Sequence, residues 1–163
     1  PNRFGRKAMR YLFWDQRGMI WYELLKPGET VDGARYQRQL ADLNSAIHRK
    51  RPEYADRRHK VIFLDDNAPP HRTRATRELV ETYDWEPLVH AAYSPDLAPS
   101  GYHLFASMGH AFSEQRFNSH EEAKKWLDDW FAAKDGQFFW RGIHKLPERW
   151  EKCVASDGYY FED

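Results

Sequence analysis

Lys60-Val61-Ile62-Phe63-Leu64-Asp65-Asp66-Asn67 is the stretch on which the fold turns. Val61 to Leu64 is a continuous apolar run without alternation, the pattern of a strand buried on both faces, and it stops at two acids. Downstream, Ala75, Leu79 and Tyr83 mark one side of a helix expected from about Pro70 through Tyr83, and Trp85 to His90 reads as a second short strand. Strand, helix, strand implies a parallel pair. In such sheets ligands bind beyond the carboxyl ends of the strands, so Asp66 and the segment Ala91 to His103 are expected to approach one another there.

Working outward, the aromatic and apolar runs Lys7–Trp14 and Met19–Leu25 flank Asp15-Gln16-Arg17-Gly18, which has turn chemistry, so a hairpin is expected. Tyr36, Leu40, Leu43 and Ile47 recur at helical steps, which places one helix over roughly 32–50, ending before Pro52. Ser100 is placed to cap a helix with Leu104, Phe105, Met108 and Phe112 inside. Ser119-His120-Glu121-Glu122 is a capping box, followed by the stripe Ala123, Trp126, Leu127, Trp130 and Phe131. A last helical stretch is expected around Trp140 to Trp150, with Pro147 starting a new turn. Trp126, Trp130, Trp140 and Trp150 are assigned to the core.

The 163 residues fit one domain, 1–163, and 41% apolar with 16% aromatic residues is enough to fold despite a mean hydropathy of −0.90. Global disorder is excluded. No apolar run reaches the roughly 18–20 residues that cross a bilayer, and Pro1–Arg10 has no apolar core of a secretion signal, so we expect neither membrane insertion nor secretion. Cys153 is the single cysteine, which rules out an internal disulfide and a cysteine zinc cage and fits a reducing intracellular compartment. Zero net charge conceals an asymmetry. Residues 1–60 carry 14 Lys and Arg against 7 Asp and Glu, whereas the rest carry 11 against 18. The basic front half either meets phosphates or pairs with the acidic half.

Asp66 is the leading candidate for chemistry. A carboxylate at the tip of a buried strand must be solvated, paired or bound to a cation, and magnesium favours carboxylate oxygens. The other reading is that Asp65 or Asp66 caps the next helix. His103 and His110 lie two turns apart on one expected helix, too far for one ion, and His71 is read as a surface or hydrogen-bonding residue. There is no glycine-rich phosphate loop, nucleophilic triad pattern or His-Glu-x-x-His.

Three segments carry a resemblance: Leu64–His71, Tyr93–Phe105 (Tyr-Ser-Pro-Asp-Leu-Ala-Pro-Ser-Gly-Tyr-His-Leu-Phe), and Lys145–Cys153 (Lys-Leu-Pro-Glu-Arg-Trp-Glu-Lys-Cys). Together with Pro1-Asn2-Arg3-Phe4-Gly5, they make nearly the whole chain resemble the catalytic domain of mariner-family DNA transposases. The resemblance implies an α/β fold with a ribonuclease H-like mixed sheet flanked by helices. It also implies three aspartates that hold two Mg2+ or Mn2+ ions for cut-and-paste transposition, a nuclear location, transposon-end and target DNA as partners, and a homodimer. Clustered carboxylates serve to hold two ions that activate the attacking oxygen and stabilise the leaving one.

Asp66 matches the second aspartate of that set. The residue before it is usually His in the family and is Asp65 here. At the family's spacing the third aspartate falls on position 101, which is Gly101; Asp96 matches a different position of the same motif. The first belongs to a strand that maps upstream of Pro1, and Asp15, in its hairpin context, is read as structural. The helix-turn-helix DNA-binding region of the family also maps outside these residues. Two functional readings follow. In one, this is a transposase catalytic-domain fragment, nuclease by descent and inactive as written, with Mg2+ or Mn2+ binding weak or absent. In the other, it is a non-catalytic DNA-backbone-binding or dimerisation module that uses Arg3, Arg6, Lys7 and Arg10, with Arg35 or Arg38 as further candidates. A sheet without its first, central strand has open edges, so strand exchange or addition in a homodimer, or a rearranged sheet, is expected.

Overall fold

The computed structural model describes residues 11–54, 61–64, 73–88, 103–104 and 106–145. The chain forms two compact units, residues 30–94 and residues 1–29 with 95–163. Each is mixed α/β, and the described residues pair as two separate two-stranded sheets.

In the 30–94 unit, helix α1 (Gly33–Lys50) starts at Asp32, whose carboxylate accepts the Arg35 N–H at 2.8 Å. This cap satisfies one of the amides that a helix start leaves unpaired. The expected stripe Tyr36, Leu40, Leu43 and Ile47 is buried, joined by Gln39 and Ala46. His48, Arg49 and Lys50 occupy the last turn, where cations meet the negative end of the helix dipole. A 3-10 turn, Pro52–Tyr54, follows. Strands β3 (Ile62–Leu64) and β4 (Glu86–Leu88) pair in parallel, with Leu64 opposite Leu88, and helix α2 (Arg74–Thr82) connects them and packs on α1.

Three expectations for this unit need correction. The inner face of α2 is Thr76 and Val80, with Leu79 and Tyr83 half-buried and Ala75 exposed. The stripe is shifted by one residue because the polar Thr76 takes an inward position, and the described helix starts from Thr73, whose hydroxyl accepts the Thr76 N–H. The run Val61–Leu64 is not covered on both faces, since Phe63 is buried while Ile62 is 63% exposed. The second strand is described over Glu86–Leu88 and starts after Trp85, which is buried just before it, while Val89 and His90 lie outside the described residues.

Helix α2 ends in a Schellman motif. The Trp85 N–H donates to Val80 O and the Asp84 N–H to Glu81 O, and the residue between helix and strand, Asp84, has φ +59°. Val80 and Trp85, the two apolar partners of such a motif, are both buried.

In the other unit, β1 (Leu12–Asp15) and β2 (Gly18–Tyr22) form the expected antiparallel hairpin. Phe13 faces Trp21 and Trp14 faces Met19, so Ile20 is the extra residue of a bulge. The core is built from Leu12 of the hairpin, Leu24 just after it, and the inner faces of α3 (Ala106–Ser113), α4 (His120–Ala133) and α5 (Gly136–His144). Leu104, Met108 and Phe112 are fully buried as expected, whereas Ser100 and Phe105 lie outside the described residues.

Ser119 caps α4 by accepting the Glu122 N–H at 3.1 Å. The return bond of the capping box falls one residue early, with Glu122 Oε2 accepting from Asn118 N–H at 2.8 Å. Tyr22 joins the hairpin to α4, its hydroxyl donating to the Asp128 carboxylate. Burial, then the hydrogen bond and charge of Asp128, push the phenol pKa up. Two further corrections belong here. The last described helix runs from Gly136 to His144, capped by Asp135, and so begins before Trp140, while Pro147 and Trp150 lie outside the described residues. Trp140 is not a core residue, being 46% exposed.

Replacing Asp84 by Gly removes the left-handed strain on an L residue and should raise unfolding free energy by about 0.5–1 kcal/mol. Leu127→Ala should lower it by about 2–5 kcal/mol. Urea unfolding of the two variants checks both signs.

Candidate active site

The parallel register determines where the chain's best candidate sits. Glu86 N–H donates to Val61 O at 2.8 Å, and from there the strands run in step to Leu64 and Leu88. Both carboxyl ends therefore open at one edge of the β3–β4 pair, the edge where α/β sheets bind ligands. Asp65 and Asp66 directly follow β3 in the chain, and the segment leading to Ser94-Pro95-Asp96 follows β4. Phe63 anchors the strand beneath this edge, its ring 5.2 Å from Trp85, which in turn lies 5.2 Å from Tyr83.

Asp65, Asp66, His71, Asp96 and Gly101 themselves lie outside the described residues, as do Arg3, Arg6, Lys7 and Arg10. Among the described residues no group of three His, Cys, Asp or Glu side chains could hold a metal ion. Arg38 is exposed on α1, whereas Arg35 is half-buried with its Nε enclosed, which makes it a poor phosphate contact.

Asp15 is structural, as expected. Its Oδ1 accepts the N–H groups of Arg17 at 2.9 Å and Gly18 at 3.1 Å and so closes the hairpin turn. His110 pairs with Glu114 at 3.1 Å on the exposed side of α3.

His103 has a role that its spacing to His110 did not suggest. Two positions after Gly101, it donates from Nε2–H to the Phe138 carbonyl at 2.6 Å, which assigns the neutral ring to that tautomer. Its ring lies 4.4 Å from Phe138 and stacks at 6.3 Å on Trp14. Helix α5 reaches this cluster through Gly142, where a Cβ would stand 2.5 Å from His103 Cδ2 and 2.9 Å from Trp14 Cη2. The glycine inside a helix was the available sequence signal, since such a residue costs helix stability unless close packing requires it.

Burial holds the His103 pKa below its ordinary value of 6.5; the Phe138 bond opposes this, and Lys145 and Arg141 add to the lowering. Folded, the ring therefore binds fewer protons than unfolded between its folded pKa and 6.5. Its contribution is complete above about pH 6.5 and is lost as pH falls through the folded pKa. Urea midpoints from pH 7.5 down to 5.5 should fall less in His103→Phe than in the parent chain. Gly142→Ala should destabilise at every pH, by about 1–3 kcal/mol from overpacking.

Comparison with known proteins places this arrangement. The family model for transposases (partial DDE domain) matches residues 1–57. The mariner Mos1 transposase of Drosophila mauritiana is 71% identical over 162 residues, covering 99% of this chain and 47% of its own length. The human histone-lysine N-methyltransferase SETMAR is 31% identical over 162 residues, covering 99% of this chain and 24% of its own length. The chain thus spans about half or less of the curated relatives it matches. The crystal structure of the Mos1 catalytic domain superposes with a TM-score of 0.89 at 73% identity, over 93% of this chain and 74% of that one. A pre-cleavage Mos1 transpososome gives 0.87 at 72%, over 93% and 44%. The ribonuclease H-like α/β class expected from the sequence is the class of that matched domain. Within it, the chain belongs to the mariner DNA transposases, as a stretch of their catalytic domain.

Proposed function

We propose that residues 1–163 act as a single transposase catalytic-domain segment, made for cut-and-paste DNA cleavage and strand transfer, that is catalytically inactive as written. The observation that carries this reading is Gly101. The motif around it, Tyr93-Ser94-Pro95-Asp96-Leu97-Ala98-Pro99-Ser100-Gly101-Tyr102-His103, stands where the family has its third metal-binding aspartate. Asp66 matches the second position of the family set and follows the last residue of β3 by two in the chain.

Structures of the Mos1 catalytic domain exist with Mg and with Mn, so these ions are the group the family would hold. The donor set available here does not fit a two-ion centre. Such a centre needs several carboxylate oxygens around each hard cation. Glycine offers no side chain to complete it. Binding of Mg2+ or Mn2+ is accordingly weak or absent, and no hydrolytic step is assigned to this chain.

DNA remains the expected partner. Mos1 forms paired-end and strand-transfer complexes, and the basic front half of this chain supports backbone contact through Arg3, Arg6, Lys7 and Arg10. This is the second reading, a non-catalytic DNA-backbone-binding or dimerisation module working in the nucleus.

Calorimetric titration with Mn2+ should give negligible heat for this chain and weak binding for Gly101→Asp. Supercoiled DNA incubated with Mn2+ should stay intact. Nicking that vanishes in Asp66→Ala would overturn the inactive reading, and DNA binding insensitive to salt would overturn the backbone-contact reading.

A further inference from the structure

Trp140 differs from the other described tryptophans. Trp14, Trp21, Trp126 and Trp130 are half-buried and Trp85 is buried, whereas Trp140 leaves 46% of its surface in water. The ring is nevertheless fixed in place. It stacks on His144, one turn further along α5, with centroids 3.9 Å apart and planes 21° from parallel. The Nε2 of His144 lies 2.9 Å from Gln16 Oε1. Gln16 in turn sits in the β1–β2 turn that Asp15 closes through the amides of Arg17 and Gly18. An exposed aromatic tied through two contacts to a rigid turn needs little further ordering to bind, and that favours a binding role over incidental exposure.

The setting is cationic. Arg141 and Lys145, four residues apart and both exposed, form the row beside Trp140 and His144 on α5, and Arg17 is exposed at the adjoining turn. The acid of that turn, Asp15, has its Oδ1 engaged by the turn amides. A flat π face bordered by positive charge matches a planar base followed by phosphate. An acidic peptide would use the cations and leave the ring idle.

We infer that Trp140, backed by His144, is a stacking platform for an unpaired base of single-stranded DNA, with Arg141 and Lys145 receiving the adjacent phosphates. The platform uses neither Asp66 nor position 101 and needs no metal.

The probes are a fluorescein-labelled 12-nucleotide oligothymidylate and a duplex of equal length, titrated by anisotropy with the full 163-residue chain in EDTA. Trp140→Ala should weaken single-strand binding about tenfold and leave duplex binding nearly unchanged, and Trp140→Phe should recover most of the loss. Replacing Arg141 and Lys145 together by Ala should weaken both probes and flatten the salt dependence. Thermal unfolding checks that the variants fold. If Trp140→Ala does not, Trp140→Leu takes its place, with the same expectation. Unchanged single-strand affinity, an equal loss on both probes, or preferential competition by polyglutamate would each overturn the inference. Because no metal is present, any of these outcomes leaves the reading of Gly101 untouched.

Discussion

The parallel pairing of β3 and β4 is the constraint on which the candidate chemistry depends. Two strands of three residues each gain little from their own ladder, so their register has to be imposed by the crossover between them. Helix α2 does this at both ends. Thr73 caps its start, and the Schellman turn through Asp84 points Trp85 back toward the ring of Phe63 before β4 begins. Shifting β3 by one residue would exchange Phe63 for a neighbour on the buried face and carry the acids with it. The register of the strand that leads to Asp66 in the chain therefore rests on apolar contacts that contain no chemistry of their own.

The other unit solves a different problem, seating a hairpin against three helices without leaving its polar atoms unpaired. It does so with aromatic edges and a few long-range hydrogen bonds. Tyr22 reaches Asp128, His120 Nε2 meets the Leu24 carbonyl at 2.6 Å, and His103 takes the Phe138 carbonyl. In each case the polar tip of a half-buried ring finds a partner while the ring body packs on apolar neighbours. The His103 contact is possible only because position 142 has no side chain, so one glycine in α5 and one histidine near position 101 form a matched pair.

Much of this was legible in the sequence, for identifiable reasons. Helix α1 and α4 were readable because each has a long apolar stripe and a side-chain cap, Asp32 and Ser119, at its start. The hairpin was readable from Asp15 and Gly18, whose turn chemistry is local. The parallel pair followed from element order alone. Short helices failed where the stripe has too few repeats to fix its phase. In α2, Thr76 replaces an apolar residue on the buried face, and a count of apolar positions selected Ala75 instead. Trp140 reads as a core residue because a helical stripe around it accounts for it. What keeps it outward is tertiary, the stack on His144 and the tie to Gln16, and no periodicity carries that information. The candidate site was legible as a motif, residue by residue, but its residues lie outside the described part of the chain, so its reading stays with the resemblance.

Identity of 71% to Mos1 conveys different things about packing and chemistry. Packing is distributed. Leu104, Met108, Phe112 and Leu127 each contribute a share of one core, and a changed residue is absorbed by its neighbours. Metal-dependent chemistry, by contrast, is concentrated in a few carboxylate oxygens around each hard cation, so a single exchanged position can matter more to it than many exchanges in the core. Identity across the chain therefore carries the fold and the family further than it carries the reaction, which has to be tested at the individual positions. Binding through charge and stacking makes the weaker demand, because it requires no ion held in place.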